Sequence, residues 1–248
     1  MIVNNIENIK FHVLRFEQPD DFYMLSILQR KKDHPESTSA NENARMIYNT
    51  YIRNMPYFER KIPIIKEFCE KFHARCYIKP QVRSGKQINR QLLKFMCDQI
   101  DNWDLNYYTL TREIISGFHD SRDKRIVLDL DDITYEQVKE IEDTVVNWFK
   151  DIEKKKEEED KKNKDKEQEE SKDKKDKKPK KSEQVFINPT FNGYHIIAPG
   201  FDPRILQEYV DKGYFKTIKD IWKSDADTIV YACRPDQELE HDYDMLEC

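Results

Sequence analysis

Glycine is scarce in this chain, 5 of 248 residues. None falls in a G-x-G-x-x-G or G-x-x-x-x-G-K-[ST] pattern, which excludes the common glycine-rich phosphate loops. Cysteine is equally sparse and odd in number, 5, with no C-x-x-C pair. That speaks against a disulfide framework and a structural zinc, and for reduced thiols in a cytosol-like compartment. Apolar runs are only a few residues long, so no segment is expected to cross a bilayer. The opening MIVNNIENIK lacks the basic start and apolar stretch of a secretion signal, and no leader is expected. No G-x-S-x-G, H-E-x-x-H or kinase signature occurs.

What the chain does have is charge and aromatics. Charged residues make up 37% of it, while 13 Phe, 13 Tyr and 3 Trp supply enough large apolar surface for a core. The net charge of −5 hides one uneven stretch. Residues 151–183 hold 14 Lys against 13 acids and a single apolar residue, Ile152. Such a segment cannot form a core, and it reads as a disordered charged insertion, helical at its start where it extends the helix before it. Its Lys172–Lys181 end could touch phosphates or could simply be a tolerated surface loop. The acidic remainder argues against tight duplex binding through overall charge, not against a local basic groove.

Length suggests one or two domains. Residues 1–72 read as a mostly helical N-terminal region. Ile47, Tyr48, Tyr51, Ile52 and Met55 have helical spacing before Pro56, and Pro63 can open a second helix carrying Ile65, Phe68 and Cys69. Residues 33–43 read as a polar loop. Residues 73–150 and 184–235 read as one α+β domain. A short strand is expected at 74–79, a helix after Ser84-Gly85 with Ile88, Leu92, Met96 and Ile100 inward, and another at 107–117. Arg125–Asp131 is a strand; Thr134-x-x-Gln137 is a capping box opening a helix with Val138, Ile141, Val145, Trp148 and Phe149 on one side. Asn192-Gly193 between two apolar runs predicts a hairpin. Asp202-Pro203 reads as N-cap and first helical position, Thr228–Ala232 as a last strand, and 236–248 as an acidic tail. The fold class is α+β: a small mixed or antiparallel sheet with helices on one side.

Four groups of residues could do chemistry. In Leu128-Asp129-Leu130-Asp131-Asp132, alternation along a strand puts Asp129 and Asp131 on one face. Paired carboxylates repel unless a cation lies between them, which suits Mg²⁺ or Mn²⁺; a plain strand end is the alternative. His195, after Asn192-Gly193-Tyr194, could donate to a phosphate or be a satisfied semi-buried histidine. Asp220 and Lys223 could hold metal and triphosphate or form an exposed helix-turn pair, with Asp225 and Asp227 competing for the acidic role. Arg83, Lys86, Arg90 and Lys94 form a basic run, the last three at four-residue spacing on one helix face. That stripe suits a nucleic-acid backbone or a solvated surface.

Taken in order, an acid-x-acid strand (Asp129-Leu130-Asp131), a small-x-His strand (Gly193-Tyr194-His195) and a later acid (Asp220, followed by Lys223) resemble the archaeo-eukaryotic primase superfamily. RIVLDLDD and NPTFNGYHIIAPGFDP also look like primase-like proteins of bacteriophages. The resemblance covers about residues 60–235. It implies an RRM-like catalytic sheet and nucleotidyl transfer dependent on Mg²⁺ or Mn²⁺, with Asp129, Asp131 and Asp220 on the metal. It implies that Gly193, His195 and Lys223 meet the incoming nucleotide. Single-stranded nucleic-acid template and nucleoside triphosphates would be its partners, with a helicase or other replication protein in trans, in the cytoplasm (a host's, if phage-encoded). A non-catalytic single-strand or nucleotide-binding module and a metal-dependent nuclease are the competing readings.

Overall fold

The computed structural model describes residues 1–31, 33, 43–99, 101, 114–115, 124–164, 180–223 and 226–234. Most of the expected loop at 33–43 and of the helix at 107–117, Asp225, the middle of the insertion and the acidic tail lie outside them. From the N-terminus the chain runs β1 (Ile2–Asn4), α1 (Ile6–Asn8, widening into a π-turn over Ile9–Val13), β2 (Asp21–Arg30) and β3 (Ala44–Ile52). Next come α2 (Met55–Lys71), β4 (Arg75–Ile78), β5 (Arg83–Ser84) and α3 (Gly85–Asp98). The second half has β6 (Arg125–Asp131), α4 (Tyr135–Lys164), β7 (Phe186–Pro189), β8 (Gly193–Pro199), α5 (Gln207–Asp211), α6 (Ile218–Ile221), β9 (Trp222–Lys223) and β10 (Thr228–Cys233).

Among the described residues these strands form two antiparallel sheets. The first has the order β1-β10-β4-β2-β3, with β5 also paired to β2; the second has the order β7-β8-β6-β9. The second sheet is built from a β-α-β-β-α-β run with its first and third strands central. That is the split βαβ arrangement, and it meets the α+β, RRM-like expectation.

The N-terminal region is not mostly helical. β2 and β3 are instead a long antiparallel strand pair: β2 buries every odd-numbered side chain from Asp21 to Gln29, and β3 pairs with it from Ala44 to Ile52. The apolar residues at 47–52 fit a helix face and a strand equally well over so short a run; pairing with β2 decides. Pro63 starts no second helix. One helix, α2, runs straight through it from the Asn54 N-cap, whose side chain accepts from Tyr57 N at 2.8 Å. The boundary at 72/73 also dissolves, because β4 pairs with β2, and β10 with both β4 and β1.

The local signals of the second half hold. Thr134 N donates to Gln137 Oε1 and Gln137 N to Thr134 Oγ1, at 3.0 and 3.3 Å, closing the capping box. Asp202 caps Arg204 N at 3.0 Å, and Thr190–Asn192 turns β7 into β8. Helix α4 extends into the charged insertion as far as Lys164. The far end of the insertion is tied back to it, since Ser182 N and Oγ both donate to the Glu153 carboxylate, at 3.1 and 2.8 Å.

The second sheet lies between two cores, one on each face. Leu128, Leu130 and Ile196 face α4 and pack with Val138, Ile141, Val145 and Phe149. Each such buried side chain contributes on the order of 1.5–3 kcal/mol. Strand alternation turns Val127, Asp129 and Asp131 to the opposite face. There Val127, Phe186 and Ile197 join the core of the first sheet, which packs Tyr23, Leu25, Ile27 and Ile78 with Phe58, Ile65 and Cys69 of α2. Polar side chains fix how the sheets meet. Asn5 Nδ2 donates to Pro189 O and Ile229 O (2.8 and 3.0 Å), and Asn188 Nδ2 donates to Ile229 O (2.9 Å).

Candidate active-site cleft

Where Asp129 and Asp131 leave the shared core, the two sheets open into a polar cleft of about 260 Å³. The second sheet contributes Asp129, Asp131 and His195; the first contributes Leu28, Arg30, Arg75 and Tyr77; Asp227 stands just before β10. The second sheet's wall is therefore acidic, while the first sheet's wall carries Arg30 and Arg75 with the Asp227 carboxylate at its edge.

The two acids are placed by β6. Its register sets Asp129 directly opposite His195 and Asp131 directly opposite Gly193 on β8. A side chain at position 193 has no room, since a Cβ there would stand 2.0 Å from Leu130 O and 3.0 Å from Asp131 Cα. Glycine thus lets the strand carrying His195 lie against the strand end carrying the acids. Asp132, with φ at 57°, turns the chain left-handed immediately after them. Aspartate tolerates that conformation better than most residues, at a cost of roughly 1–2 kcal/mol.

His195 is buried and bonded at both ring nitrogens. Nδ1 lies 3.1 Å from Thr228 Oγ1, and Nε2 lies 3.2 Å from Asp129 Oδ1. The carbonyl of Ile229 only accepts, so the Asn188 amide nitrogen must face it, and its other N–H reaches Thr228 Oγ1 at 2.7 Å. The Thr228 hydroxyl, with one proton and two lone pairs, can give to His195 Nδ1 or accept from it, and an N–H on Nε2 would face Asp129 Oδ1. The Asp129 side chain remains 41% exposed to the cleft.

The basic wall is organised around a buried carboxylate. Arg75 Nε and Nη2 grip Asp33 Oδ2 and Oδ1 at 2.7 and 2.6 Å, and Arg234 Nε reaches Oδ1 at 2.9 Å. Burial pushes the Asp33 carboxyl up, but the two guanidinium groups outweigh it and hold the carboxyl below its ordinary value. Both guanidinium groups also lie over the Phe191 ring, 4.7 and 4.9 Å from its centroid. The hairpin tip next to His195 is thereby held to the first sheet. At the rim, Asp227 Oδ1 lies 3.4 Å from Lys79 Nζ.

The structure brings Asp129, Asp131, Gly193 and His195 together as the motif spacing suggests. Lys223 is paired with Val127 on β9, so it shares the face of Asp129. Asp220 is not part of the cleft. It is exposed in the first turn of α6, where Oδ2 accepts from Thr217 N at 3.1 Å in a capping box; Asp227, its competitor in the sequence, is the acid that lines the cleft. Arg83 is not an open phosphate contact either. It is fully buried and donates from Nε to Ile115 O and from Nη1 to Gln81 O, at 2.7 and 3.1 Å. Lys86, Arg90 and Lys94 do stand exposed on α3, though Met96 does not point inward as expected and is exposed as well. Sequence reasoning missed Arg30, Arg75, Asn188 and Thr228, and read Tyr77 only as a stacking aromatic near Arg83. Each has an ordinary local context, and only strand pairing carries it to the site.

A divalent ion suits the donor chemistry here: hard carboxylate oxygens on one face of a polar cleft. Among the described residues no three His, Cys, Asp or Glu side chains stand together as a ready cage. In comparisons with known proteins, no family model, curated protein or solved structure matches this chain.

Proposed function

We propose that this chain is a metal-dependent nucleotidyltransferase of primase-polymerase type that extends or starts a strand on a single-stranded nucleic-acid template. The observation that carries the reading is the opposition across one cleft of Asp129, Asp131 and His195 to Arg30, with Arg75 held beside it by Asp33. The acidic wall suits a cation and the basic wall a polyphosphate. The RRM-like second sheet, with its acids on the face away from α4, and the order of the Asp129-x-Asp131 and Gly193-x-His195 strands support the same family resemblance.

In this reading Asp129 and Asp131 hold Mg²⁺ or Mn²⁺, and Asp227 replaces Asp220 as the third acid of the cleft, meeting the ion through its water shell. The bound ion supplies charge neutralisation on the transferred phosphoryl group and its leaving oxygens. His195 aims the Asp129 carboxylate through Nε2–H. The same N–H edge serves a phosphate oxygen brought alongside, which is the His195 role that the resemblance implies. Arg30 faces that phosphate from the other wall. Lys223, on the Asp129 face, lies on the strand next to the acids and serves the nucleotide. A helicase or other replication protein acting in trans belongs to the same proposal.

The deciding experiment incubates the protein with template, primer, all nucleoside triphosphates and Mn²⁺ or Mg²⁺. Metal-dependent extension that is lost in Asp129→Asn supports transfer. Strand cleavage instead assigns a nuclease, and binding without either product assigns a non-catalytic module.

A further inference from the structure

The even-numbered side chains of β2 alternate with the buried odd-numbered row that packs on α2, and the two ends of the even-numbered row line two cavities. At the C-terminal end Leu28 and Arg30 line the carboxylate cleft. At the N-terminal end Phe22 lines a second cavity of about 360 Å³, together with Tyr51, Arg53, Ile88 and Asn89. Strand pairing settles which neighbours share this face. Tyr51 is opposite Met24, and Ser26 has Asn49 on one side and Tyr77 on the other. Phe22 and Tyr51 meet edge to face with centroids 5.4 Å apart.

The chemistry along this face is that of a single-strand binder. Aromatic rings recur at Phe22, Tyr51 and Tyr77, with the cations Arg53 and Arg30 at the ends. Between them Met24, Ser26 and Leu28 carry no charge to repel a phosphate. The two acids lining the second cavity are turned to the backbone. Asp21 Oδ2 accepts from Glu17 N and Gln18 N, and Asp20 Oδ2 from Ser84 Oγ and Lys86 N. Helix α3, which supplies Ile88 and Asn89 to the cavity wall, also carries the exposed Lys86 and Arg90.

We propose that this face of β2 is a track for single-stranded nucleic acid, leading from the carboxylate cleft to the Phe22–Tyr51 cavity, which takes an unpaired base. The occupant is argued from its continuity with the cleft and from the interleaving of aromatic and basic groups, the pairing used where successive bases stack while cations follow the backbone. From Phe22 to Arg30 the strand spans about 26 Å, room for about four nucleotides, the lower end of site sizes for sheet-based single-strand binders. The track rests on the nucleotidyl-transfer reading only for its direction, because the cleft end is where chemistry would occur.

The experiment measures fluorescence anisotropy of a labelled oligodeoxythymidine with wild type, Tyr51→Ala and Asn49→Glu, beside Mn²⁺ titration calorimetry of the same proteins and of Asp129→Asn. Tyr51→Ala removes one stacking ring and should weaken oligonucleotide binding about tenfold or more. Asn49 is exposed on this face, so a carboxylate there should also weaken binding without touching the core. Mn²⁺ binding should stay at the wild-type value in both. Oligonucleotide affinity unchanged in both variants, or no binding by wild type, overturns the track. Mn²⁺ binding unchanged in Asp129→Asn overturns the transfer reading instead, and leaves the track standing if the oligonucleotide result holds.

Discussion

His195 Nε2 lies 3.2 Å from Asp129 Oδ1 across a pair of antiparallel strands, directly opposite in register. The contact joins the two motifs that the sequence separates by more than sixty residues, including the whole charged insertion. It also reaches through Thr228 to Asn188, so the orientation of one acid is fixed from strands of both sheets. A carboxylate held this way has lost the rotamer freedom it would otherwise give up on binding an ion.

Asp227 and Asp220 should separate cleanly. Asp227→Asn should lower metal-dependent nucleotidyl transfer at least tenfold, with little change in the urea midpoint, because its rim position costs little to alter. Asp220→Ala removes a helix-capping contact and should cost about 0.3–1.5 kcal/mol of stability, while activity per folded molecule stays near wild type. The reverse pattern would return the third acid to Asp220.

Gly193→Ala should be severe. Its Cβ meets main-chain atoms of β6 that cannot move aside without breaking the β6–β8 ladder. Overpacking of this kind costs about 1–3 kcal/mol or more. Circular dichroism melts should show the loss, and hydrogen exchange should locate it at Leu130–Asp131. A melting curve matching wild type would show that the strands have slack.

The insertion should divide into a dispensable stretch and an anchored one. Replacing residues 165–179 by a Gly/Ser linker should leave the melting temperature within a degree or two, as loop entropy changes slowly with length. Glu153→Ala removes the acceptor of both Ser182 bonds and should lower stability by about 1 kcal/mol. Equal effects of the two changes would contradict the anchor.

Acid should destabilise the protein through His12. Burial, then the neighbouring Arg15 and Arg125 charges, hold its pKa below the ordinary 6.5, and its ring stacks on Phe186 at 4.9 Å. The unfolded chain therefore takes up a proton at higher pH than the folded one. This contribution is complete above about pH 6.5 and is lost as pH falls toward the folded pKa. Urea midpoints measured from pH 7.5 down to 5.5 should drop, and His12→Phe, which keeps the stack, should drop less. Identical slopes for the two proteins would rule His12 out.

The sequence by itself determined what depends on neighbours along the chain. The β6 run with its two same-face acids, the Thr134–Gln137 capping box, the Asn192-Gly193 hairpin and the inward face of α4 all follow from periodicity and turn chemistry, which act over a few residues. Tertiary structure decided what depends on partners far away. Ile47–Ile52 became a strand because β2 was there to pair with it, and Pro63 stayed inside a helix because α2 had a core to cover. Arg83 went inward to meet the Ile115 and Gln81 carbonyls, though its neighbours made it look like a member of a surface stripe. Asp227 rather than Asp220 reached the cleft, because β10 pairs with β4 and ends its approach beside His195. A lone charged residue carries no mark of where its strand will lie; only the register between strands supplies that, and register is set by packing across the whole chain.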